Sequence, residues 1–226
     1  MNFSALESAF AAEAAAHAAA CFALNSYGEA ECVELGSARL VYSGSFSPTH
    51  GVFGLGLDGP VEERDFLEID RFFSRKERPA VYWVTSFTDP SLREYLRHGY
   101  RAIRTELVRG VTPSSPKNLP ADPFLSGPDH GAWSLGFAKA LDPAAKEPNL
   151  LAVTKLHQKN TRFYLAEGGA SYTFFHQGIA LVPHPHPATW GLQLNEAAGF
   201  HCKSMAAIGG GDDIPFLYER ILYEPV

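Results

Sequence analysis

The punctuation between Gly54 and Arg109 constrains this chain more than any other feature, because it spells out several elements in a row. Gly54-Leu55-Gly56-Leu57-Asp58-Gly59-Pro60 is a glycine-rich turn. Val61 to Ser74 follows with Phe66, Ile69 and Phe73 at i, i+3 and i+7, which predicts one buried helix face. Val81-Tyr82-Trp83-Val84 is β-branched and aromatic without charge, as suits a strand covered on both faces. Asp89-Pro90 then opens a short helix, with a side-chain acceptor at the cap and a proline where the missing N–H costs nothing. Gly99 closes that helix, and Tyr100 to Val108 reads as a further strand. Strands alternating with helices define an α/β layout, an α+β mixed sheet, and many functions share it.

Composition narrows the class. With 226 residues, 46% apolar and 12% aromatic, the chain can fill one large core or two small ones. A net charge of −6 and a pI near 5.8, without a Lys/Arg run, argue against a nucleic-acid or anionic-membrane footprint. Cys21, Cys32 and Cys202 are odd in number and unrelated in spacing, so they read as free thiols. Glu7 and Glu13 interrupt the alanine-rich amino-terminal stretch, which therefore reads as a helix and not a signal peptide; the expected location is cytoplasmic.

Phe3 to Leu24 carries its larger residues Leu6, Phe10, His17 and Cys21 at helical spacing, and His17 reads as a hydrogen-bonded core histidine. Glu31 to Leu35 and Ala38 to Tyr42 form a hairpin about Gly36-Ser37, and Val52 to Leu57 is a third strand. Five prolines and three serines between Gly110 and His130 mark a linker. The domains expected are 1–110 and 130–226, joined by 111–129. Gly131 to Leu141 reads as a helix, Thr161 to Glu167 and Ala170 to Val182 as a second hairpin, Thr189 to Ala198 as a helix, and His201 to Ile208 and Phe216 to Tyr223 as closing strands.

Glu94-Tyr95-Leu96-Arg97-His98-Gly99-Tyr100 and Leu194-Asn195-Glu196-Ala197-Ala198-Gly199-Phe200 repeat one pattern at corresponding places, a helix, a closing glycine, an aromatic residue and a strand. A degenerate tandem repeat of one α/β unit is expected. That unit, with Phe53 to Pro60, Asp89 to Tyr100 and Asn195 to Phe200 as its signature, resembles the GNAT superfamily of acyl-CoA N-acyltransferases. The resemblance covers most of residues 1–110 and the ends of the second half. It implies two tandem units, acetyl-CoA as donor, a small amine as acceptor, no metal, and direct transfer aided by a carboxylate or water as base and a tyrosine as acid.

Carried onto this sequence, the resemblance places the acid at Tyr95, where the second half has Asn195. Glu167 is the candidate base, and the coenzyme is expected against Val182, Pro183, His184 and Asn195. Tyr95 also reads as a packing residue on its helix face, and Glu167 as a solvated turn carboxylate. The family holds the coenzyme pyrophosphate on an Arg/Gln-x-x-Gly-x-Gly/Ala turn at a helix start. Here that turn has Asp58, Glu62 and Glu63 and no arginine. In the second half only Pro183 to Ala188 separates the equivalent strand from the helix, so the coenzyme-binding segment and its crossover are expected to be deleted. Two other readings stand beside the enzyme. One is a GNAT-like binding protein without catalysis, as a homodimer covering sheet edges left open by the deletion. The other is a metal-dependent enzyme using His176, His184, His186 and His201.

Overall fold

In the computed structural model, residues 3–25, 29–45, 47, 49–110, 129–167, 169–183, 189, 193, 201–204 and 217–226 are described. The chain divides into two compact units, 1–107 with 218–226, and 108–217.

The first unit begins with helix α1 (Phe3–Leu24) and strands β1 (Glu31–Leu35), β2 (Ala38–Tyr42) and β3 (Gly51–Phe53). Helix α2 (Glu63–Ser74), β4 (Tyr82–Thr85), α3 (Pro90–Leu96) and β5 (Tyr100–Gly110) follow, and β10 (Leu217–Pro225) returns from the far end of the sequence. Its strands lie in the order β1-β2-β3-β4-β10-β5. The β1/β2, β2/β3 and β4/β10 pairs are antiparallel, and β3/β4 is parallel at Val52↔Tyr82. Both faces are covered, as the uncharged 81–84 segment implied. Leu40, Val52, Tyr82 and Val84 pack with Ile69, Phe72, Phe73, Leu92 and Leu96 on one side. Val41 and Phe53 meet Ala11, Ala14 and Ala18 of α1 on the other. Each fully buried Ile or Phe contributes roughly 1.5–3 kcal/mol.

Local signals set the boundaries. Asp89 accepts the Ser91 N–H at 2.9 Å, capping α3 as its sequence predicted. Asp65 accepts the Glu62 N–H at 2.9 Å at the start of α2. The expected strand from Val52 to Leu57 stops at Phe53, because Gly54 and Gly56 turn the backbone to φ +74°. His17 meets the Cys21 thiol at 3.5 Å inside α1.

The second unit contains α4 (His130–Leu141), α5 (Leu150–Leu156), β6 (Thr161–Ala166), β7 (Gly169–His176), β8 (Ile179–Val182) and β9 (His201–Ser204). β6, β7 and β8 form an antiparallel meander, β8/β9 is parallel, and β9 is antiparallel to the end of β5 at Arg109↔Ser204. Trp133 and Phe137 of α4, Ala152 of α5, and Ala170 and Tyr172 of β7 form its core. The Trp133 indole N–H donates to the Ser171 carbonyl at 2.9 Å, which satisfies the one polar atom of a buried ring. A Cβ on Gly136 would stand 3.1 Å from that of Ala170, so glycine lets α4 approach β7 closely.

Several expectations are corrected. The strand expected from Ala170 to Val182 is two strands, folded back at Gln177-Gly178, both at positive φ. Glutamine is not a residue that announces such a turn. Helix α5 is not anticipated from the sequence, because its seven residues are too few to show a helical period. The crossover is not deleted: β8 and β9 are parallel neighbours from Ile179↔His201 to Val182↔Ser204, and residues 183–200 connect them. Thr189 and Gln193 within that connection are helical, so the segment read as a closing helix lies in the crossover itself. The strand near the end of the sequence, expected with the second half, pairs with β4 of the first unit.

Candidate functional site

Ligands of open α/β sheets bind beyond the carboxyl ends of parallel strands. Among the described residues one parallel pair stands out in each unit. In the first unit it is β3/β4, followed by the glycine turn. The Gly56 carbonyl accepts the Asp89 N–H at 2.7 Å, and a Cβ at Gly56 would lie 3.2 Å from both Thr88 and Val61. The turn is therefore packed against the start of α3, and its glycines serve that close approach. The entrance to α2 carries Glu62, Glu63 and Asp65, with Arg64 turned onto Glu62 at 3.0 Å. A pyrophosphate would meet carboxylates at this helix start, so the turn does not fit a coenzyme phosphate.

Tyr95, the candidate acid, lies on α3 of this unit. Its ring stacks on Phe66 with centroids 3.6 Å apart and leans on Tyr100 at 6.1 Å. Burial, then the Asp70 carboxylate, raises its phenol above the ordinary tyrosine value. Tyr100 is pushed up to about 12, chiefly by burial, and buried Tyr82 is raised by the same cause. Three phenols are thus held protonated beside one another in a packed cluster.

In the second unit the parallel pair is β8/β9. Val182, fully buried, ends β8 opposite Ser204, and Pro183 follows it. His184 and Asn195 lie outside the described residues. The sequence after β8 reads Pro183-His184-Pro185-His186-Pro187, in which each proline lacks an N–H. A backbone cradle for phosphate does not fit this sequence either. Beside the pair, Ser171 and Thr189 hydroxyls meet at 2.6 Å, and the Gln193 amide donates to the Tyr172 carbonyl at 3.1 Å. Lys155, almost fully buried, sits 4.9 Å over the Tyr172 ring. Sequence reading missed this polar seam, because Ser171 and Thr173 look like the solvent face of a half-buried strand. Glu167, the candidate base, is exposed in the turn between β6 and β7. Tyr95 and Glu167 belong to different units.

The histidines divide as well. His176 and His201 are the register partners of Ile179 at the start of β8, whereas His184 and His186 follow its end. Among the described residues no group of three or more metal-ligating side chains converges. No described helix is long and apolar enough to cross a membrane.

Sequence comparison is silent: no protein-family model and no curated protein matches the chain. Structure comparison is not. A GCN5-related N-acetyltransferase from Kribbella flavida superposes with a TM-score of 0.53 at 15% identity, covering 93% of this chain and 95% of that one. A GCN5-related N-acetyltransferase from Sphaerobacter thermophilus gives a TM-score of 0.42 at 11% identity, covering 71% and 66%. The first of these shows that the chain has a GNAT-like fold.

Proposed function

We propose that the protein is a GNAT-type N-acyltransferase that takes an acyl group from acetyl-CoA and gives it to a small amine, with the donor seated in the second unit. The observation that carries this reading is the parallel β8/β9 pair, which ends at Val182 and Ser204 and neighbours β7, the strand that carries the Ser171–Thr189 contact. Within the proposal, Val182 and Pro183 lie at the donor, His184 and Asn195 flank it, and Glu167 and Tyr95 remain the candidate base and acid. Among the described residues neither unit offers a backbone cradle for the pyrophosphate. The test is calorimetric titration of the metal-free protein with acetyl-CoA. Stoichiometric binding in the micromolar range supports the reading and justifies an amine screen; no heat at millimolar ligand overturns it.

A second reading is favoured by the closed glycine turn, in which Gly56 is taken up by Asp89. In this reading the chain is a GNAT-fold binding protein without transferase chemistry. Binding of acetyl-CoA without turnover of any amine in the screen would select it.

A further inference from the structure

The first unit has an open groove of about 540 Å³ between β1 and α2. Val33, Leu35 and buried Phe72 give it an apolar floor, and Arg71 and Arg75, one helical turn apart and exposed, stand on its rim with Glu68. Three independent features meet there. First, β1 is the outermost strand of this sheet, and among the described residues its only partner is β2. Its outer backbone groups offer a template for one more strand. Second, among the described residues neither Arg71 nor Arg75 makes an ion pair, whereas the β1 carboxylates Glu31 and Glu34 are taken up by Lys76 and Arg39. In a chain of net charge −6, two free guanidinium groups beside apolar surface are a local exception. Third, the groove is fixed in shape. Lys76 binds Glu31 at 2.9 Å and Glu29 at 3.1 Å and lies 5.5 Å over the Tyr42 ring, clamping the hairpin to the end of α2.

We propose that this groove docks an extended acidic segment of a partner protein, which adds to the β1 edge as an extra strand. Every second side chain of that segment faces the groove, apolar ones over Val33, Leu35 and Phe72 and carboxylates toward Arg71 and Arg75. A free backbone edge calls for a backbone partner, which a small carboxylate does not supply. Strand addition gives affinity through main-chain hydrogen bonds and specificity through alternate side chains. The two arginines select against basic segments, since a like charge there is repelled.

The probe is a fluorescein-labelled peptide, Val-Thr-Glu-Thr-Val-Thr-Glu-Thr-Val, read by fluorescence anisotropy against the full chain. Saturable binding is expected, weakened by about tenfold or more in the R71E/R75E double variant and with lysine in place of glutamate in the peptide. A peptide N-methylated at every backbone amide should not bind. Both substituted side chains are exposed, and circular dichroism with a melting curve checks that the variant is folded. Four results overturn the proposal: no binding to the wild-type chain, binding indifferent to R71E/R75E, binding indifferent to N-methylation, or a dimer of the chain that dissociates in R71E/R75E. The last would put a second copy in the groove.

Discussion

The two units bury polarity in opposite ways. The first encloses a charged cluster: Arg220 of β10 donates from Nε to Glu7 of α1 at 2.9 Å and from Nη1 to Glu106 of β5 at 3.3 Å. Its guanidinium is sandwiched by the Phe10 ring at 3.9 Å and the Trp83 ring at 4.5 Å. Among the described residues the second unit, Lys155 apart, uses neutral groups, a hydroxyl pair at Ser171–Thr189 and amide or indole donors onto carbonyls. A buried ion network is costly to break and tolerates few partners, so it fixes where a strand from far along the chain belongs. Neutral hydrogen bonds contribute about 1 kcal/mol each and bind their elements less exclusively. The first unit is accordingly locked by one buried charged cluster, whereas the second is held by separate neutral contacts.

The largest expected effect breaks the lock. Arg220→Ala takes the guanidinium from the buried Glu7 carboxylate, while Glu106 keeps Arg104 at 2.7 Å, and should cost about 3–5 kcal/mol in chemical denaturation. Glu7→Gln should cost less, because Glu106 still faces the guanidinium. If Arg220→Ala is neutral, the charged cluster does not hold β10. Next comes Gly56→Ala, which forces an L side chain to φ +74° against Thr88 and Val61 and should cost about 1–2 kcal/mol. An unchanged melting temperature would show that the turn is not packed as described.

In the second unit, Ser171→Ala should cost about 1 kcal/mol, the loss of one hydroxyl pair. A loss as large as that of Arg220→Ala would erase the contrast between the units.

Two smaller effects are read against pH. Tyr100 is raised from 10.0 to about 12, so the unfolded chain loses this proton first, and stability should fall as pH rises from 10 toward 12. Tyr100→Phe should flatten that decline in urea melts. His50 is lowered from 6.5, first by burial and further by Arg78, against a hydrogen bond to the Ser47 carbonyl that raises it. The folded state disfavours its protonated form, so its contribution is present above pH 6.5 and lost as pH falls below that value. His50→Asn should remove that acid-side slope, and an unchanged slope would assign it to other groups.

Much of the first unit was legible because its signals are local. Asp89-Pro90 and Gly99 bracket α3, and Phe66, Ile69 and Phe73 trace the buried face of α2, each written within one or two helical turns. The candidate site was less legible. The contact between Gly56 and Asp89 joins residues separated by a whole helix and strand. The parallel neighbours β8 and β9 could not be recognised while Thr189 to Ala198 was taken for a closing helix and not a crossover.

Within the first unit the sequence by itself determined the order of helices and strands, the cap and closing glycine of α3, and that both faces of β4 are covered, because these follow from side-chain period and backbone sterics over a few residues. Only the tertiary structure decided that β10 joins the first unit, that Arg220 meets Glu7 across 213 positions, and that the glycine turn is closed. Those outcomes rest on pairings between distant segments, and the free energy of such a pairing depends on what else is buried with it.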